Sequence, residues 1–92
     1  MDVENKVVIV TGASSGVGSA AAIKLATMGA RVVVNYANND AGAQQCLDQI
    51  SLVGGEAIVF QADVSDDAQC KALVQAAIEQ FGQLDILINN AG

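Results

Sequence analysis

A short apolar run that breaks into three glycines constrains this chain more than any other feature. Val7-Val8-Ile9-Val10 is rich in β-branched side chains and stops at Thr11. Gly12, Gly16 and Gly18 follow, and Ser19-Ala20-Ala21-Ala22-Ile23-Lys24-Leu25-Ala26 then reads as helix. The pattern predicts a buried strand, a tight turn and a helix opening directly behind it. An ordinary strand-to-helix turn needs one glycine, hardly three at this spacing. The first lets the chain turn sharply, the second admits a ligand where a Cβ would block it, and the third lets helix and strand pack closely. Unpaired N–H groups in the first helical turn, together with the helix dipole, suit a pyrophosphate. The loop Gly12, Ala13, Ser14, Ser15, Gly16, Val17 and Gly18 is therefore the first candidate site.

The spacing separates nucleotide classes. Gly-x-x-x-Gly-x-Gly is one residue longer between its first two glycines than the usual Gly-x-Gly-x-x-Gly dinucleotide fingerprint. A P-loop needs Gly-Lys followed by Ser or Thr, with the lysine on the terminal phosphates. Here Ser19 follows Gly18 and the first lysine after the loop is Lys24, well inside the helix. Nucleoside-triphosphate hydrolysis is disfavoured. A methyltransferase-like site on the same scaffold stays open, with nothing specific to support it.

Composition narrows the partners. The 92 residues make one small domain, 52% hydrophobic with few aromatics, so Val, Ile, Leu and Ala must build the core. The net charge of −6, with no basic run or aromatic platform, argues against nucleic acid and anionic membranes. No apolar run approaches the ~18 residues of a membrane span. The acidic, polar start Met1-Asp2-Val3-Glu4-Asn5-Lys6 is no signal peptide. Cys46 and Cys70 lack metal-ligand spacing, there is no histidine, and no metal site is expected. Both cysteines fall on apolar helix faces, as reduced core thiols of a cytoplasmic protein would.

Strand and helix patterns alternate with a period of roughly 25 residues, the length of one β-α unit. Strand one covers about 6–11 and helix one about 16–28, stopped by Gly29. Strand two is Arg31–Tyr36. Helix two spans about 40–53, with Ala43, Cys46, Leu47, Ile50 and Val53 on one stripe, and strand three about 56–61. Ser65 reads as the N-cap of helix three, whose apolar face carries Cys70, Leu73, Val74, Ala77, Ile78 and Phe81. Leu84–Asn89 forms strand four. Strands separated by helices pair in parallel, with right-handed crossovers. The fold class is α/β, the first part (βαβαβαβ) of a doubly wound parallel sheet in order 3-2-1-4. Ligands on such sheets bind beyond the carboxyl ends of the strands, where strands one and four diverge. The glycine loop and Asn89-Asn90-Ala91-Gly92 converge on that crevice.

These residues resemble a known family. Thr11-Gly12-Ala13-Ser14-Ser15-Gly16-Val17-Gly18 is similar to the Thr-Gly-x-x-x-Gly-x-Gly motif of the short-chain dehydrogenases/reductases, and Asn89-Asn90-Ala91-Gly92 to their Asn-Asn-Ala-Gly motif. Asp63-Val64 sits after strand three, where the family places its adenine contact. Asn35-Tyr36 and Val53-Gly54-Gly55-Glu56-Ala57 resemble the branch containing 3-oxoacyl-carrier-protein reductases and glucose 1-dehydrogenases. The resemblance implies the N-terminal cofactor-binding part of a Rossmann-type domain. In that reading, loop 12–18 holds the pyrophosphate and adenosine ribose. The Asp63 carboxylate accepts from the adenine amino group, and the Val64 N–H faces the ring. Asn90, Ala91 and Gly92 lie along the ribose and nicotinamide. Asn89 is expected to tie strands together rather than touch the cofactor.

Cofactor choice turns on the end of strand two. An acid there binds the ribose 2′-hydroxyl of NAD, while its absence with an arginine nearby accommodates the 2′-phosphate of NADP. This chain offers Asn35, Tyr36 and Ala37, then Asn38, and no carboxylate before Asp40. No arginine attracts the phosphate, since Arg31 is at the wrong end of the strand and the loop position is Ser15. The expectation is NADP, with NAD or dual use open.

The family's catalytic serine and Tyr-x-x-x-Lys, with an assisting asparagine, follow its Asn-Asn-Ala-Gly motif, and no residue here matches them. The only tyrosine, Tyr36, is followed four residues on by Asp40. Two readings follow. The chain is the nucleotide-binding portion of a longer oxidoreductase that moves a hydride between nicotinamide and a small carbonyl or alcohol substrate. Alternatively, it is a complete non-catalytic dinucleotide-binding or interaction module. On the first reading these residues alone are inactive, and the family's homo-oligomer interface lies outside them.

Overall fold

Burial explains why Val7–Val10 is apolar at every position. In the computed structural model, which describes residues 2–90, all four side chains are buried, two toward each face of the sheet. The elements are β1 (Val7–Val10), α1 (Gly16–Thr27), β2 (Arg31–Tyr36), α2 (Asp40–Leu52), β3 (Glu56–Gln61), α3 (Asp67–Phe81) and β4 (Ile86–Ile88). The sheet is wholly parallel, in the order β3-β2-β1-β4, the doubly wound arrangement expected from the sequence. β1 and β2 are interior, and their near-continuous Val/Ile character follows from being covered on both faces.

The helices divide between the faces as right-handed crossovers demand. Val8, Val10, Val32 and Val34 pack against Ala22 and Ala26 of α1 and Ala43, Cys46 and Ile50 of α2. On the other face, Val7, Ile9 and Val33 meet Leu73 and Ala77 of α3, with Ile58, Phe60 and Phe81 alongside. The alanines let α1 approach the sheet closely. Cys46 is a core thiol, pushed up in pKa by burial, whereas Cys70 is only half-buried. β4 pairs with β1 through Ile86–Ile88, and Leu87 on the α3 face stays 51% exposed.

Several boundaries differ from the sequence reading. Asp66, not Ser65, caps α3, its carboxylate accepting from the N–H groups of Ala68 and Gln69. Ser65 is drawn instead to Asp63 Oδ1 by both its N–H and its hydroxyl. β4 is shorter than Leu84–Asn89 because Asp85 turns its carboxylate back on the Val7 N–H at 2.8 Å. Val53 is the C-cap of α2 and exposed rather than part of its buried stripe.

Candidate functional site

The carboxyl ends of β1, β2 and β4 are stitched together by polar groups, and Thr11 is the centre of the stitching. Its N–H donates to the Ile88 carbonyl at 3.0 Å, its hydroxyl lies 3.1 Å from Asn89 Oδ1, and its Oγ1 accepts from the Asn90 N–H at 2.8 Å. Asn89 thus serves the strand-tying role expected of it. The Asn90 side-chain amide crosses to the Gly12 carbonyl at 3.2 Å. The loop after β1 and the residues after β4, far apart in sequence, form one wall. Ala91 and Gly92 lie outside the described residues.

Asn35 holds the same loop from the β2 side. Its carbonyl accepts from Ala13 N–H at 2.8 Å and its Oδ1 from Gly12 N–H at 3.4 Å. Its Nδ2 donates to the carbonyls of Phe60 and Ala62, each at 3.2 Å. The side chain is 1% exposed, so Asn35 sits behind the loop as a clamp between β1, β2 and β3. That is a different placement from the open end of β2, where Tyr36 and Ala37 are found. Tyr36 donates its hydroxyl to Asp40 Oδ1 at 2.9 Å, and this bond holds the phenol pKa above its ordinary value. The Ala37 carbonyl accepts from Gln61 Nε2 at 2.9 Å.

The three glycines have distinct surroundings. Gly12 and Gly16 have φ of 61° and 59°, left-handed backbone that favours glycine. A Cβ on Gly18 would run into the Gly12 carbonyl oxygen and lie 2.6 Å from Asn90 Nδ2, so the helix reaches β1 only because that atom is missing. A Cβ on Gly16 would meet no protein atom within 4 Å and would project into open space in front of the loop. α1 also differs from the other helices. Asn39 caps α2 and Asp66 caps α3, but Ser15 makes no side-chain cap on α1. Among the described residues, the N–H groups of Gly16, Val17 and Gly18 find no acceptor. Val17, 78% exposed, lies beside them.

Asp63 and Val64 follow β3 at the sheet's far edge. The bonds from Ser65 to Asp63 Oδ1 hold this carboxyl below its usual pKa, and Asp63 N–H donates to Gln69 Oε1 at 2.8 Å. Val64 is half-buried against the α3 core. Gly42 is the residue the sequence reading passed over. It lies within α2, where a Cβ would strike the Ser14 carbonyl oxygen, so its absence brings the start of α2 against the glycine loop. A glycine inside a helical pattern was the available signal. A concavity of about 830 Å³ lies between α1 and α2, reaching from Ser14–Gly16 to Asn39 and Gly42. No helix among the described residues is long and apolar enough to cross a membrane.

This geometry agrees with what the chain is similar to. Residues 6–92 match the family described as short chain dehydrogenase. The chain belongs to that family. It is 55% identical over 89 residues to an uncharacterized oxidoreductase of Methylorubrum extorquens, covering 97% of this chain and 36% of that protein. It is 46% identical to an L-rhamnose 1-dehydrogenase (NAD(P)(+)) of a Sphingomonas species, covering 97% of this chain and 35% of the relative. Among solved structures, a 7α-hydroxysteroid dehydrogenase complexed with NADH and 7-oxo glycochenodeoxycholic acid superposes with a TM-score of 0.93 at 40% identity. That match covers 98% of this chain and 35% of the other. The chain therefore spans little more than a third of the length of these short chain dehydrogenase relatives.

Proposed function

We propose that residues 1–92 form the dinucleotide-holding part of an oxidoreductase that moves a hydride between nicotinamide and a small carbonyl or alcohol substrate. The observation that carries this is α1, the helix without a side-chain cap. The N–H groups of its first turn find no acceptor among the described residues, and a Cβ on Gly16 would meet no protein atom within 4 Å. Those donors and the dipole behind them suit a pyrophosphate. The residues fit a dinucleotide. Gly12, Ala13, Ser14, Ser15, Gly16, Val17 and Gly18 would line its pyrophosphate and adenosine ribose, with Tyr36 and Ala37 at the ribose. Asn35 would act through the loop it clamps. Asp63 and Val64 would sit at the adenine, and Asn90, Ala91 and Gly92 on the nicotinamide side. The dinucleotide, when bound, supplies or accepts the hydride.

NADP is favoured over NAD because the end of β2 carries Asn35, Tyr36 and Ala37 with no carboxylate among them. The relatives' names support dinucleotide use without deciding the preference, since one carries NAD(P)(+) and one a bound NADH. The proton donor and substrate pocket would come from residues beyond these, so the 92 residues alone should show no turnover. We place the protein in the cytoplasm, on its soluble-type composition and reduced thiols.

Gly16→Asn tests the cradle. Asparagine tolerates left-handed backbone, so the added side chain fills the space in front of the loop with little strain. In the intact protein that carries these residues, NADPH affinity by calorimetric titration should fall at least about fivefold, the lower end of an overpacking penalty. The urea midpoint should stay close to that of the wild type. Unchanged affinity would remove the cradle assignment.

A further inference from the structure

The Tyr36–Asp40 hydrogen bond bridges the end of β2 to the first turn of α2, beside the glycine loop. Asn35, next to Tyr36, takes the Ala13 N–H on its carbonyl, and Gly42, two residues past Asp40, abuts the Ser14 carbonyl. In sheets of this class an acid near this point, about 20 residues past the glycines, decides which ribose 2′ group is accepted. Asp40 is the first carboxylate the chain brings there, and it does not hang free. Tyr36 donates its hydroxyl to Oδ1 at 2.9 Å, four residues along the chain.

We propose that Tyr36 is a positioning residue for cofactor choice: its hydroxyl restrains the Asp40 carboxylate against α2, away from the ribose 2′ group, and so keeps the site open to a 2′-phosphate. The inference rests on the dinucleotide reading above and deepens it. A carboxylate released from the phenol gains the freedom to accept from a 2′-hydroxyl and to repel a 2′-phosphate, through one change of side-chain rotamer. The bond is exposed, so the effect is modest in size but opposite in sign for the two cofactors. Removing the charge altogether should favour the phosphate whatever occupies position 36.

The test measures NADPH and NADH dissociation constants for the intact protein as wild type, Tyr36→Phe, Asp40→Asn and the double variant, by fluorescence titration at low salt. Tyr36→Phe keeps the ring and should lower the NADPH-over-NADH preference about two- to fivefold, the range of an exposed polar pair. Asp40→Asn should raise that preference, and in its background Tyr36→Phe should no longer change it. A merely structural role would weaken both cofactors equally, and that result overturns the proposal. So does a shift of the same size in both backgrounds, or an unchanged preference in Asp40→Asn. Should Tyr36→Phe fail to fold, Tyr36→Leu, which also lacks the hydroxyl, is read by the same criterion. Wild type that binds neither dinucleotide would instead remove the functional reading itself, and this inference with it.

Discussion

Asn35→Leu isolates the part of the site that is hidden. Leucine keeps the branched shape and heavy-atom count of asparagine and is somewhat bulkier, so the substitution removes hydrogen bonds without opening a cavity. Three side-chain bonds disappear: Oδ1 from the Gly12 N–H at 3.4 Å, and Nδ2 to the Phe60 and Ala62 carbonyls at 3.2 Å each. At about 0.5–1.5 kcal/mol per bond, with the long Gly12 contact at the low end, the loss is about 1.5–3.5 kcal/mol. With a urea slope of about 1 kcal/mol/M, the midpoint should fall by about 1.5–3.5 M. Asn35→Asp separates chemistry from shape. It keeps an acceptor for Gly12 but turns a buried carboxylate on two carbonyl oxygens, which raises its folded pKa above the unfolded value. Its destabilisation should therefore ease as pH falls through the raised folded pKa, and is relieved below the unfolded pKa of about 4, where the carboxyl is protonated in both states. Equilibrium unfolding by circular dichroism at neutral and acid pH measures both variants. A midpoint shift below about 0.5 M for Asn35→Leu would refute the clamp, because even one buried bond of average strength contributes more.

Three further outcomes follow from other contacts. Asp85 accepts from Val7 N–H and Gln83 Nε2, which hold its carboxyl below the usual range, so its stabilisation is complete above the unfolded pKa and is lost as pH falls through the folded one. Asp85→Asn should accordingly lower the urea midpoint at pH 7 and flatten its decline below about pH 4, and a wild-type acid limb in the variant would show the bond to be idle. Gly42→Ala puts a Cβ into the Ser14 carbonyl and should destabilise by about 1–3 kcal/mol, read from the thermal midpoint, despite alanine's better helix propensity; a stabilised variant would mean the loop can yield. The 92-residue chain alone presents β4 with a neighbour on one side only among the described residues and Leu87 exposed, so it should self-associate at micromolar concentration. Leu87→Lys should reduce that association in sedimentation velocity, and a monomeric wild-type chain would count against the edge argument.

Local pattern carried most of the architecture. The Val7–Val10 run, the helix after Gly18, the stripe of Ala43, Cys46 and Ile50, and the glycine stops at 29, 54 and 82 each depend on burial or backbone conformation within a few residues. Alternation of such segments admits little besides a parallel sheet with right-handed crossovers, and the order β3-β2-β1-β4 is a doubly wound arrangement that fits the pattern. The glycine spacing likewise marked a tight turn and a close helix approach, because positive φ and missing Cβ atoms are properties of single residues. Tertiary structure decided the direction of polar side chains. Asn35 and Tyr36 are neighbours at the end of one strand, and a strand sends successive side chains to opposite faces. Asn35 is buried against Gly12, Phe60 and Ala62, while Tyr36 reaches Asp40 at the surface. Ser65 and Asp66 both suit an N-cap, and only the geometry after β3 assigned the cap to Asp66 and bound Ser65 to Asp63. Thr11 and Gly42 gain their roles from Asn90 and Ser14, partners 79 and 28 residues away in sequence. Periodicity reports which face of an element is apolar, but it is silent about which distant backbone atom will stand opposite a given side chain. That is set only when the sheet closes and buried polar groups must find partners.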